Sequence, residues 1–505
     1  MNRKIVFYTT GKIFKALAAL LLLPALVALW YHERTLVHIL VSAGIAYLSG
    51  MLLTRRKPED TAIYAKEGFA IVALAWLGLS SIGALPFWLS GAIPSYIDAL
   101  FETVSGFTTT GASIMPGVEH VSRALLFWRS FTHWVGGMGV LVFVMAIIPL
   151  SERRSMHIMR AEVPGPTSGK LLPRMRDTAK VLYTLYLGLS LLMFVLLVIA
   201  GMPAFDSAIH TFGTAGTGGF SSKNSSIAFY DSATIDWIIT IFMTLFGVNF
   251  NLYYYLMIRN YKAVYKNEEL RWYLGIMVFL SVVIAINIIP LKGSFLNALR
   301  YSAFQVSSLM TTTGYATANF DLWPSFSKTL LVLAMFIGAS AGSTGGGLKV
   351  SRLMILGKAA KTEIKRMLHP RMVTSVTMDD KPVAESTITG AYVYIVVYFA
   401  IAAVSVVLLS LDGFDFETNF TAMAACFNNI GPGLSKVGPI CNFSEYSDFS
   451  KIVLILDMLL GRLEIFPMLF GLAFPFWKGH RKVSAKRTRT DNTIGGSKSS
   501  DKTRS

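Results

Sequence analysis

The sequence predicts an all-α polytopic membrane protein: an N-terminal transmembrane hairpin, then four pseudo-symmetric helix–pore-loop–helix repeats around one central pore. The expected count is ten spanning helices and four re-entrant half-helices. Three observations lead there. The 505 residues are 53% hydrophobic and 15% charged, with a mean hydropathy of +0.53, whereas soluble domains average about 25% charged. Apolar stretches long enough to cross a hydrocarbon core recur along the chain. A short amphipathic stretch ending in a Gly-bearing turn occurs four times at a near-constant interval.

The apolar stretches lie at 12–30, 35–53, 68–90, 124–150, 180–201, 233–258, 271–290, 326–357, 387–411 and 450–477. The first run lacks a small-residue cleavage site and reads as a span rather than a secretory signal. The net charge of +17 raises nucleic-acid binding as a function class, but its distribution argues against it. Basic residues cluster after even-numbered spans: Arg55, Arg56 and Lys57; Arg153, Arg154, Arg160, Lys170, Arg174 and Arg176; Arg259, Lys262 and Lys266; Lys358, Lys361, Lys365, Arg366 and Arg371. The opposite loops carry few, among them Arg34, Arg123, Lys223, Lys328 and Lys436. That is the positive-inside bias, and it puts both termini in the cytoplasm. The basic, Ser/Thr-rich segment from Lys478 to Ser505 has the composition of a disordered tail. Cys426 and Cys441 are the two cysteines, too few for a disulfide framework or a metal site.

The four unusual connections share one plan. Asp98 to Gly111 closes with Thr-Thr-Thr-Gly, and Asp206 to Gly219 closes with Gly-Thr-Gly-Gly. The third closes Thr311-Thr-Thr-Gly314 and the fourth Asn428-Asn-Ile-Gly431. Successive glycines are 108, 95 and 117 positions apart, a fourfold internal repeat. The expected boundaries are 1–60 for the hairpin, 61–165, 166–265, 266–375 and 376–478 for the repeats, and 479–505 for the tail.

A ten-residue helix is about 15 Å long, half of a hydrocarbon core of about 30 Å. Such a segment is re-entrant, and non-helical backbone at that depth must be satisfied by protein or line a water-filled cavity. The half-helix turns its partially negative C-terminal end inward, which favours a cation. A following Gly lets the chain turn back through positive φ, and rings of carbonyls that replace a hydration shell select potassium. In the eighth span, residues 338–347 read Gly-Ala-Ser-Ala-Gly-Ser-Thr-Gly-Gly-Gly; each Gly costs a helix about 1 kcal/mol against Ala, so this span is expected to break. Arg462 in the last span is a buried cation at membrane depth, a functional candidate by default.

With these motifs the chain resembles the TrkH/KtrB superfamily of potassium transport subunits, and within it the bacterial TrkH branch, over residues 1–478. The resemblance implies potassium uptake across the bacterial inner membrane by the ion-conducting, filter-bearing subunit of a gated channel-like system. K+ is then the transported ion, with no organic cofactor on this chain. The resemblance assigns the filter glycines to Gly111, Gly219, Gly314 and Gly431, none of them replaced by the Ser of sodium-favouring plant relatives. It carries the carbonyl set to Thr109, Thr110 and Gly111; Thr217, Gly218 and Gly219; Thr312, Thr313 and Gly314; Asn429, Ile430 and Gly431. Repeats two and four depart from Thr-Thr-x-Gly, which leaves their carbonyl set open. The gate is implied at Gly338, Gly342, Ser343, Thr344, Gly345, Gly346, Gly347, Lys349 and Arg462. Implied partners are a second copy of the chain, a cytosolic ring of nucleotide-binding regulatory subunits, and membrane lipid.

Enzyme motifs fail on context. Gly338-Ala-Ser340-Ala-Gly342 matches a nucleophile elbow but lies in an apolar span rather than a strand-to-helix turn. Leu348 separates Gly347 from Lys349, so no phosphate loop is present. No enzyme activity is expected. The alternative is a cation-coupled secondary transporter, a potassium symporter with sodium or protons; four repeats running in one direction favour the pore. His133, Trp134, Gly136, Gly137 and Gly139 read as close-packing positions lining an inner vestibule. Asn249 and Asn251 could either hydrate a pore or bond between helices.

Overall fold

The computed structural model describes residues 1–59, 63–139, 175–371, 374–463 and 465–472. The end of the expected fourth span, the loop bearing Arg153, Arg154, Arg160, Lys170 and Arg174, Glu464 and the tail lie outside them.

Helices α1 (Arg3–Trp30) and α2 (Thr35–Thr54) form the expected hairpin. Their crossing is set by small residues: a Cβ on Gly50 would lie 2.7 Å from the Gly11 carbonyl, and one on Gly11 would lie 2.9 Å from the Gly50 carbonyl. Four sets of helices follow. The first contains α3 (Ala65–Gly83), the short α4 (Leu85–Leu89), the half-length α5 (Tyr96–Phe107) and α6 (Arg123–Gly137). Glu33, in the hairpin turn, accepts from Ser122 Oγ at 2.6 Å and from the backbone N–H of Arg123 at 2.7 Å. It thereby caps the start of α6 with negative charge.

The second set contains α7 (Met175–Ile199), the half-length α8 (Ala204–Gly216), and α9 (Ala233–Phe246) with α10 (Phe250–Met257), a span bent by 91°. After α11 (Tyr261–Lys266) come α12 (Glu268–Lys292), the half-length α13 (Phe295–Met310), α14 (Ser325–Met335) and, past a non-helical stretch, α15 (Val350–Leu368). The last set is α16 (Glu385–Leu409), the half-length α17 (Phe416–Phe427), α18 (Asp448–Arg462) and α19 (Ile465–Leu472).

Among the described residues, six helical stretches are long and apolar enough to cross a membrane, or seven with the bent pair. The spans at 233–258, 326–357 and 450–477 are each interrupted, and of these only the middle break is expected from the sequence. The second is split by the Gly run, as its composition requires. The first turns at Gly247 to Asn249, where Asn249 Oδ1 accepts from the Asn251 N–H at 2.9 Å and restarts the helix as its N-cap. The fold also departs from purely helical: β1 (Thr377–Met378) pairs antiparallel with β2 (Lys381–Pro382). Asp379 and Asp380 join them at φ 52° and 61°, the backbone that two-residue hairpin turns require.

The half-helices are capped at their N-termini by Ser95, Ser294 and Asp415. Hydrogen bonds from Thr418 hold the Asp415 carboxyl below the usual carboxylate range. A charged contact marks each junction between sets, 13 or 14 positions before the closing Gly. Lys451 of α18 pairs with Asp98 of α5 at 2.6 Å, Asp236 of α9 with Arg300 of α13 at 2.7 Å, and Lys328 of α14 with Glu417 of α17 at 3.4 Å. At the remaining junction the Arg123 guanidinium lies 4.4 Å from the Tyr31 ring and 6.0 Å from the Phe205 ring of α8.

Candidate functional site

Each half-helix ends in the same backbone figure. The residue two before the closing Gly has left-handed φ, at Thr109 (55°), Thr217 (56°), Thr312 (60°) and Asn429 (55°). Gly111, Gly219, Gly314 and Gly431 are again positive, at 79°, 76°, 83° and 102°. The residue between donates its N–H five positions back, at 2.8 Å in all four: Thr110 to Ser105, Gly218 to Gly213, Thr313 to Ser308, and Ile430 to Ala425. Repeats two and four differ in side chains but keep this geometry. Non-Gly residues in left-handed backbone are uncommon and costly, so four at equivalent positions mark a conformation held by its surroundings.

The four figures close into a ring. A Cβ on Gly111 would first meet the Gly218 carbonyl, one on Gly219 the Thr313 carbonyl, and one on Gly314 the Ile430 carbonyl. One on Gly431 would lie 2.8 Å from the Thr110 carbonyl. The order is cyclic, and the twelve expected filter residues are all in it. A cavity of about 140 Å³ on the far side of the ring is lined by all four glycines together with Arg129 and Lys223.

Hydrogen bonds brace the ring from behind. Thr108 and Thr110 share a 2.8 Å hydroxyl contact, as do Thr311 and Thr313. Asn429 Nδ2 donates to Thr110 Oγ1 at 2.9 Å, across the first and last repeats. Two residues not anticipated from sequence add a buried ion pair. Glu102 accepts from Arg129 Nε at 2.6 Å and from the Ile114 N–H at 2.9 Å, while Arg129 Nη1 donates to the Ser221 carbonyl at 3.2 Å. The pair thus ties the segment after Gly111 to the segment after Gly219, with the guanidinium 3.5 Å from the centroid of Phe220.

The broken eighth span packs against the opposite face of the ring. Residues 338–349 form a loop whose neck is closed by a 3.2 Å bond from the Val350 N–H to the Ala339 carbonyl. Its apex reaches the ring: the Gly346 N–H donates to Thr312 Oγ1 at 2.7 Å, and Thr217 Oγ1 donates to the Thr344 carbonyl at 3.0 Å. Its side fills the bend of the second repeat, where Ser340 N–H donates to the Gly247 carbonyl and Phe250 N–H to the Gly342 carbonyl, both at 3.1 Å. Buried Lys349 donates to the Gly345 carbonyl within the loop. Arg462 Nη1 donates to the Thr344 carbonyl at 2.7 Å, and Nη2 to the Gly136 and Gly137 carbonyls at 2.6 and 2.8 Å. It therefore ties repeat four, the loop and repeat one together.

The inner-vestibule reading of His133 and Trp134 is corrected by these positions. His133 is buried with Nδ1 2.8 Å from the Gly106 carbonyl and its ring 4.1 Å from that of Phe220, behind the backbone ring. Trp134 stacks on Phe131 and donates to Ser190 Oγ, in an aromatic cluster with Tyr186 and Phe212. Gly136 and Gly137 are close-packing positions: a Cβ on Gly136 would collide with the Phe107 carbonyl, and one on Gly137 would lie 2.6 Å from Gly216 Cα. Both cysteines are free thiols, Cys426 buried and Cys441 exposed.

The model of the family described as TrkH, cation transport protein, matches residues 39–475. The Trk system potassium uptake protein TrkH of Salmonella typhimurium is 36% identical over 484 residues, covering 95% of this chain and all of the relative. The protein of that name from Escherichia coli K12 is 36% identical over 493 residues, with the same coverage. The crystal structure of the potassium transporter TrkH from Vibrio parahaemolyticus superposes with a TM-score of 0.85 at 33% identity, over 95% of this chain and all of that one.

Proposed function

The chain belongs to the TrkH family of cation transport proteins, and from that membership we propose that it takes up potassium as the membrane subunit of a bacterial Trk system. The closed ring of four carbonyls is the observation that carries the reading further. It supports an ion path through the ring, with the carbonyls of Thr110, Gly218, Thr313 and Ile430 standing in for the water that a dehydrated K+ loses. The partially negative ends of four half-helices face the same point. The cavity lined by the four glycines is the outer mouth in this reading, and residues 338–349 are a gate beneath the filter, held shut by Thr312 and Arg462. The four sets of helices are then the four pore repeats, with the α1–α2 hairpin outside them.

Family membership also supports a homodimer, a cytosolic ring of nucleotide-binding regulatory subunits, and an inner-membrane location with both termini cytoplasmic. The loop side of the ring is the cytoplasmic side on the positive-inside reading. Flux through the purified chain in liposomes tests the proposal. Potassium should enter down its gradient and exceed sodium. A saturable flux strictly coupled to sodium or protons would replace the pore with a secondary transporter.

A further inference from the structure

Glu269 lies in the first turn of α12 and is buried at 4% exposure, yet it belongs neither to the filter nor to the loop. Its Oε1 accepts from the Ala341 N–H at 2.7 Å and from the Ser351 N–H at 3.2 Å. Those two donors lie on opposite sides of the loop neck, Ala341 two positions after Ala339 and Ser351 one after Val350, the pair whose bond closes it. One carboxylate thus holds both ends of the twelve-residue insertion, through charge-assisted bonds that are stronger than neutral ones.

The same turn is bound from the other direction. Glu268 Oε2 pairs with Lys358 of α15, whose Nζ also donates to the Thr377 carbonyl at 2.8 Å in β1. Asp379, in the β-hairpin turn, accepts from the Glu268 N–H at 2.8 Å and from Asn267 Nδ2 at 3.1 Å. Two adjacent residues of α12 therefore face two different structures: Glu268 meets the β-hairpin and α15, and Glu269 meets the loop neck.

We propose that Glu269 is the latch of the loop, a positioning residue that keeps the neck closed. The Asn267–Glu269 turn carries displacement of the β-hairpin and α15 to it. A partner that pulled the hairpin or α15 away from the membrane would shift this turn and release the neck without touching the ion path. The proposal rests on the reading of residues 338–349 as a gate, and the test separates the two.

The full chain is reconstituted in liposomes in a Cys441→Ser background carrying Ser343→Cys as a loop probe. The labelling rate by an impermeant maleimide applied from the loop side and the basal K+ flux are both measured. Glu269→Gln keeps the shape and removes the charge; it should raise both on the order of five- to tenfold, with the K+/Na+ ratio unchanged. Glu269→Asp, which keeps the charge, should change both less. Faster labelling without faster flux would keep the latch and discard the gate. Unchanged labelling in Glu269→Gln and in Glu269→Ala would overturn the latch. Should the Ala variant fail to fold, the Gln variant decides alone.

Discussion

The backbone N–H of Gly346 donates to Oγ1 of Thr312 at 2.7 Å, so the apex of the loop hangs from a side chain two residues before Gly314. Thr312 stands in left-handed backbone at φ 60°, and Val has its shape without the acceptor. Thr312→Val leaves the Gly346 N–H unsatisfied, a loss of about 1–3 kcal/mol. Basal potassium flux should rise while the potassium-to-sodium ratio stays put. A variant with wild-type basal flux would remove this bond from the gate.

Gly314→Ser attacks the ring itself. At φ 83° a side chain is strained, and the new Cβ runs into the Ile430 carbonyl of the next repeat. The left-handed backbone alone costs about 1–2 kcal/mol for a residue with a Cβ. The expected result is a lower potassium-to-sodium flux ratio with the protein still monodisperse in detergent. An unchanged ratio would take Gly314 out of the filter.

Removing residues 342–346 should raise basal potassium flux most, because it deletes Thr344 and Gly346 together with their bonds to Arg462, Thr217 and Thr312. Arg462→Ala should raise it less, since the neck and the Thr312 contact remain. Arg462→Lys should behave like Ala: a single ammonium cannot bridge the Thr344, Gly136 and Gly137 carbonyls as the planar guanidinium does. Liposome flux ranks the three variants, and a deletion at the wild-type basal level would make the stretch packing only.

The junction ion pairs should differ in worth according to solvent access. The Lys451 side chain is 6% exposed and that of Asp98 23%, against 24% and 47% for Lys328 and Glu417. Lys451→Met should cost roughly 2 kcal/mol by leaving Asp98 without its cation. Lys328→Met should cost about 0.5 kcal/mol or less. Adding Asp98→Asn to Lys451→Met should recover part of the loss. Thermal unfolding in detergent measures all three, and equal losses at both junctions would refute the argument.

The half-helices and their closing glycines were legible because each pairs a short amphipathic segment with a turn that no continuous span tolerates. The eighth-span break was legible for the same reason, as five glycines within residues 338–347 cannot be read as helix. The bend at Gly247 was not: one Gly between Phe246 and Val248 in an apolar run looks like ordinary helix packing. Asn249 stands out in the sequence, but the contact that braces the bend, from the Phe250 N–H to the Gly342 carbonyl, comes from a loop nearly a hundred positions away. Glu269 reads as a boundary charge at the start of a span, and only the fold brings Ala341 and Ser351 to it. Arg129 and Glu102 did leave a signal, a cation and an acid inside apolar segments. Their pairing across 27 positions, with Ser221 as a third member, is tertiary.

The cyclic order of the ring has a consequence for how the protein is made. Asp98 waits for Lys451, 353 positions later, and Thr110 Oγ1 waits for Asn429, 319 positions later. At roughly 5–20 residues per second, the ribosome needs about 20–70 s to supply the missing partners. Through that interval the growing ring sits in the bilayer with an open seam and an unpaired acid. Closure is therefore the last event of assembly, and an insertion chaperone or the bilayer itself must shelter the seam until the final quarter arrives.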